Sequence, residues 1–222
     1  MLMNENLKSI PTPVLSELPL FPLPNVVFFP GMLLPLNVFE PRYLDLITHC
    51  LERDRIVAIP LLKPGYQENY EDQPAIHSMV GAGVISGHRV LEDGRMTVVL
   101  KGLERLRIVE ELPQEHAFRL ARAERVVEAG AEVDLGDELV VLSNLLNQLG
   151  QSRPQAGLVL SQIEEVADTI PQLIDLLAAY VVGDLELRQE LLSELNVLKR
   201  FARLTQIVAD IVLQVSGDEV LH

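Results

Sequence analysis

Residues 18–43 read LPLFPLPNVVFFPGMLLPLNVFEPRY. Six of these 26 residues are proline, and most of the others are large and apolar. Proline blocks helix continuation and removes a ladder donor, so a run this dense in it predicts short strands joined at fixed bends. The reading places strands over 18–21 and 32–38. Residues 25–29 form either a short strand or a turn feeding the Pro30-Gly31 bend. Pro35 demotes its part of the second strand to an edge or a bulge. Helix is excluded until Pro41, and the stretch contains no obvious nucleophile, metal-ligand set or phosphate cradle.

Outward from this stretch, the first helix begins after Phe39. Pro41 suits a first helical turn, and Tyr43, Leu44, Ile47, Cys50 and Leu51 recur at spacings of three and four. Cys50 falls on that apolar stripe and reads as a small buried hydrophobe. Residues 55–62 (RIVAIPLL) are a strand, followed by a polar loop, KPGYQENYEDQP, carrying Tyr66 and Tyr70. Those two rings either mark a recognition surface or tuck back against the rim of the strands. Strands are then expected over 80–89 and 96–100, joined by a turn at Glu92-Asp93-Gly94. Gly102 is expected to break the line before strands over 103–109 and 118–126. Five or six short strands with one early helix predict a small curled or partly closed barrel. Residues 1–17 read as a loose lead-in.

The pattern changes after Val127. Residues 128–194 hold thirteen acidic and two basic side chains, and their apolar residues adopt the helical period. Five helices are expected. One runs through Leu135, Leu139, Leu142 and Leu149 and is ended by Gly150; one starts at Pro154 and is weakened by Gly157. A third is capped by Thr169, a short fourth by Asp184, and the last starts at Asn196 with Leu198, Phe201, Leu204 and Ile211 inward. Glu128-Ala129-Gly130 suggests a linker. The expected fold class is α+β: a β pseudo-barrel over 14–127 with one inserted helix, then an acidic helical bundle over 128–222.

A formal charge of −14 repels nucleic acid at long range. A single cysteine allows no internal disulfide, no apolar run reaches bilayer length, and the cytoplasm is the default location. His49, His77, His88, His116 and His222 show no HExxH or other metal-ligand spacing. Gly81, Gly83 and Gly87 lie where strand character continues, so they read as sites of curvature or bulging and not as a dinucleotide loop. There is no P-loop and no GxSxG. Ser161 and Ser193 sit on expected helices, and nothing pairs them with Lys8, Lys63, Lys101 or Lys199. Arg105 and Arg107 alternate in phase and should point the same way. Arg119, Arg122 and Arg125, and Lys199, Arg200 and Arg203, interrupt the acidic field and are expected to clamp the two domains or to offer an anionic contact. By itself the chain reads as no enzyme, with no cofactor and no metal.

LPLFPLPNVVFFPGMLLPLNVFEPRY, KPGYQENY, VGAGVISGHRVLEDGRMTVVLKGLERLRIVEE and the late DLLAAYVV and LRQELLSELNVLKRFARL together resemble the N-terminal substrate-binding domain family of Lon, the ATP-dependent protease. The similarity spans roughly residues 16–213 and keeps the family's order of motifs. It implies a PUA-like pseudo-barrel followed by a helical bundle, as in the stand-alone proteins of this domain and its relative in cereblon, without the ATPase and protease modules of full-length Lon. It also implies a non-catalytic module for unfolded or extended polypeptide segments or a partner protein. On this resemblance, Phe28, Phe29, Tyr66 and Tyr70 border a groove between barrel and helices that holds the peptide, with core packing the alternative for the two phenylalanines. Two other readings stand beside it: an enzyme with an unrecognised site between the domains, and an assembly adaptor docking a basic partner protein.

Overall fold

The structure, a computed structural model, describes residues 7, 9–70, 73–130, 132, 135–152 and 154–219. Lys8 and His222, named above, lie outside the described residues. The chain divides into two compact units, Met1–Val126 and Val127–His222.

The first unit is built on six strands: β1 (Leu18–Leu20), β2 (Leu33–Val38), β3 (Ile56–Ile59), β4 (Met79–Val90), β5 (Met96–Glu111) and β6 (Arg119–Arg125). They lie in the order β2-β5-β4-β3-β1-β6, and β6 also pairs with β5, closing five of the strands into a ring. Only β1 and β3 run parallel. Helix α1 (Pro41–Leu51) starts at the proline after the extended Glu40 and buries Tyr43, Leu46, Ile47 and Cys50. Leu18, Leu20, Ile56, Ala58, Val80, Leu106 and Ala121 form the centre of the core. The expected loose lead-in is corrected for its described part. Ile10 and Leu15 belong to this core, residues Thr12–Ser16 form a 3-10 turn, and the Ile10 N–H donates to Glu104.

Gly102 does not break the strand. It sits inside the single long β5, where a Cβ would come within 2.0 Å of the Phe29 carbonyl oxygen. Gly81 is more crowded still, its Cβ position lying 1.6 Å from the Phe28 carbonyl oxygen, and at Gly83 a Cβ would be 2.9 Å from the Phe28 ring. These glycines let the backbone of residues 28–31 lie directly on the sheet, and Gly31 N–H donates to the Gly102 carbonyl at 3.0 Å. The bend at 25–31 is therefore a plug laid over β4 and β5, not a strand of its own.

The second unit contains α2 (Gly136–Ser152), α3 (Pro154–Val166), α4 (Ile170–Val181), α5 (Leu185–Ser193) and α6 (Val197–Glu219). Thr169 caps α4 by accepting from Gln172 N–H, and Asp184 caps α5 by accepting from Leu187 N–H. Gly150 lies within α2 and does not end it. A Cβ there would come within 3.2 Å of the Gly157 Cα, so these two glycines allow α2 and α3 to approach closely. On α6, Val197, Phe201, Leu204, Ile207 and Val208 are buried, while Leu198 is exposed. No helix among the described residues is long and apolar enough to cross a membrane.

Candidate functional site

Residues 39–43 and the loop after β3 meet at one rim of the first unit. Glu40 is the residue before α1, and Arg42 lies in the first turn. The Arg42 guanidinium carbon is 4.8 Å from the ring centroids of both Tyr43 and Tyr70, so the cation is held between two aromatic faces. Arg42 Nη2 also pairs with Glu40 Oε2 at 2.9 Å, and Tyr70 Oη donates to Glu40 Oε1 at 3.0 Å. Gly65, at φ 87°, opens the short 3-10 turn Tyr66–Asn69, which brings the Tyr66 ring edge-on to Tyr70 with centroids 6.2 Å apart. Tyr43 stacks on Phe21 at 4.2 Å.

The electrostatics follow from this packing. Burial opposes the Arg42 charge, but Tyr43, Glu40 and Tyr70 outweigh it and raise the pKa. Burial and the bond to Glu40 push the Tyr70 phenol up. The crevice among Arg42, Tyr43 and Tyr70 holds only about 20 Å³, room for roughly one water. Any contact at this rim is therefore made on its surface.

The four residues singled out from sequence part company here. Tyr66 and Tyr70 share the rim and are half-buried. Phe28 and Phe29 are 0% exposed and form the plug over the glycines, so they are corrected from groove residues to core. Phe39, next to Glu40 in the chain, faces solvent at this rim and is 64% exposed. Its position immediately before a helix N-cap is where an apolar residue ordinarily staples back onto the first turn. The signal was legible in sequence, but whether the staple closes depends on packing.

Other candidates resolve into structure. Arg119, Arg122 and Arg125 pair with Glu111, Glu110 and Glu104, and Arg107 with Glu124, so this group staples β6 to β5 within one unit. Arg200 and Arg203 likewise pair inside the second unit. Both sets are corrected from the expected clamp between domains. Arg105 and Arg107 keep an unbroken register against Gly81 and Met79 and so share a face of β5, although Arg105 is buried and Arg107 exposed. The β4–β5 pairing skips Leu103, a bulge that lies before this stretch and leaves its alternation intact. Ser161 and Ser193 donate to the carbonyls of Gly157 and Gln189 one turn back. Burial pushes the Cys50 thiol up to about 12, where it is no nucleophile. Among the described residues no group of three or more His, Cys, Asp or Glu is arranged to hold a metal ion.

Residues 17–210 match the family described as the ATP-dependent protease La (LON) substrate-binding domain. The chain belongs to that family. It is 27% identical over 207 residues to a Lon protease of Heliobacterium modesticaldum, covering 88% of this chain and 24% of that protein. It is 27% identical over 214 residues to a Lon protease of Syntrophus aciditrophicus, covering 92% and 26%. The chain thus spans about a quarter of the length of these curated relatives. A solved Lon N-terminal domain protein from Xanthomonas campestris superposes with a TM-score of 0.58 at 25% identity, across 87% of this chain and 98% of that one. The N-terminal domain of a Mycobacterium avium complex Lon protease reaches 0.64 at 17% identity, over 88% and 99%, a likeness of fold alone.

Proposed function

We propose that this chain is a non-catalytic recognition module for extended polypeptide, and that the rim of Phe39, Tyr66 and Tyr70 is its contact surface. Membership of a substrate-binding family supports the class of ligand. The observation that carries the location is Phe39, an exposed aromatic beside a cluster of rings and ions that holds its own shape. Such a preorganised aromatic surface binds with little ordering cost, in the micromolar range or weaker, about −8 kcal/mol at best. In this reading residues 14–127 are a PUA-like pseudo-barrel, a description supported by the strand ring, and residues 128–222 are a helical bundle. The test is amide-shift mapping with an unfolded polypeptide whose C-terminus is amidated. Shifts should centre on residues 39–43 and 66–70, and Phe39→Ala should weaken binding about fivefold or more without unfolding the chain. Silent spectra at millimolar peptide, or shifts confined elsewhere, would defeat the proposal.

The adaptor reading also has a specific observation behind it. Helices α2 and α3 carry acidic residues Asp137, Glu138 and Glu165 together with the exposed Val140, Val141 and Val166. A basic partner docking there would show binding that collapses with added salt.

A further inference from the structure

A cavity of about 200 Å³ opens at the other end of α1, lined in part by Val14, Pro19 and Ile56 and by the cations Arg53 and Arg55. It is about 16 Å along the helix from the Phe39 rim. Arg55 is the unusual residue. At φ 63° it is the non-glycine residue in the left-handed region among the described residues. Its N–H donates to the Cys50 carbonyl at 2.9 Å and closes the end of α1, a position glycine normally fills because a Cβ there costs about 1 kcal/mol or more. An arginine in a glycine's place implies that its side chain is wanted. That side chain sends Nη2 to within 3.3 Å of His88 Nδ1, while Nε is buried with no hydrogen-bond partner among the described residues. That donor is closed to solvent, so what a ligand in the cavity meets is the positive charge that Arg53 and Arg55 bring to its lining.

Glu17 and Asp54 also line the cavity, and they narrow the choice of acceptor. Two carboxylates repel a dianion such as phosphate, whereas one compact negative charge at Arg55 meets less opposition. The apolar half of the lining leaves room for an aliphatic group beside that charge. A cavity of about 150 Å³ accepts benzene, so this one has room for a branched side chain. We propose that the cavity binds a single carboxylate carried on a small aliphatic group, held by Arg55 and packed against Val14, Pro19 and Ile56. The shared chemistry fits the last residue of a polypeptide or a free acylated amino acid.

The full chain would be titrated with N-acetyl-leucine and with a short leucine-ended peptide, as the free acid and as the amide, following amide shifts of residues 50–56. The free acid should bind at least about tenfold more tightly than the amide, the scale of one charge-assisted contact. Arg55→Gly should abolish binding while the melting temperature holds or rises, because glycine relieves the left-handed strain. Binding by the peptide assigns the site to chain ends, and binding by N-acetyl-leucine alone assigns it to a free acid. Equal affinity for acid and amide, unchanged binding in Arg55→Gly, or no shift at millimolar ligand would overturn the proposal. So would an Arg55→Gly melting temperature lowered as far as that of His88→Ala, which would assign the arginine to the His88 contact alone. Phe39→Ala must leave this binding intact, so failure here and failure at the rim are separable.

Discussion

Arg200 is 0% exposed, with Nη2 2.6 Å from Glu128, Nε 3.3 Å from Asp175 and Nη1 donating to the Glu194 carbonyl at 2.8 Å. Removing the cation strands a carboxylate in the interior, which costs about 3–5 kcal/mol, whereas replacing both partners by apolar groups is close to neutral. Arg200→Ala should therefore lower the urea midpoint of the helical signal steeply, and Arg200→Met with Asp175→Leu should recover most of the loss. His49 gives a second test at this scale. Burial lowers its pKa, and the adjacent Arg53 and His116 add to the effect against the opposing pull of Glu17 and Glu52. The unfolded chain then binds the extra proton first. This contribution to stability is complete above the unfolded value near 6.5 and is lost as pH falls through the lower folded value. Comparing wild type with His49→Gln at pH 7.5 and pH 5 should show a smaller acid loss in the variant. Arg200 was visible in sequence as a basic residue in an acidic field, but its two carboxylate partners lie 25 and 72 positions away, beyond any local pattern.

Among the elements, the bend over the sheet is the most specific. Gly102 N–H donates to the Met32 carbonyl and Gly31 N–H to the Gly102 carbonyl, so a side chain on Gly102 would separate two hydrogen-bonded backbones. Overpacking usually costs about 1–3 kcal/mol, and here the obstructing atom is a carbonyl that cannot rotate away. Gly102→Ala should lose about 3 kcal/mol or more by chemical denaturation. Gly87→Ala, with nothing within 4 Å of its Cβ position, should cost less than about 1 kcal/mol. The edge strand β2 carries Pro35 in its middle, which blunts the free edge against pairing with another chain. Helix starts were readable because Pro41, Thr169 and Asp184 act within one turn. Gly102 was misread as a break because sequence shows a missing side chain but not the backbone that occupies its space.

At the scale of the molecule, charge is divided unevenly. Residues 1–126 hold sixteen acidic and thirteen basic side chains, and residues 127–222 hold sixteen and five. Each unit has its own buried core, and the connecting residues are tied into the second: Ala129 N–H donates to the Leu195 carbonyl and Glu128 pairs with Arg200. Residues 1–126 expressed alone should give a dispersed amide spectrum and a cooperative melt. A collapsed spectrum would show that this unit needs the other. Local physical chemistry determined the proline-bent strands, the helix caps and the helical period of the acidic half, since each depends on residues within a turn or two of one another, and the order of motifs along the chain carried the family resemblance. Tertiary structure alone decided that Phe28 and Phe29 plug the barrel while Phe39 faces solvent, and that the arginines staple strands within a unit. Burial is set by what chain segments distant in sequence leave uncovered, and no periodicity encodes that.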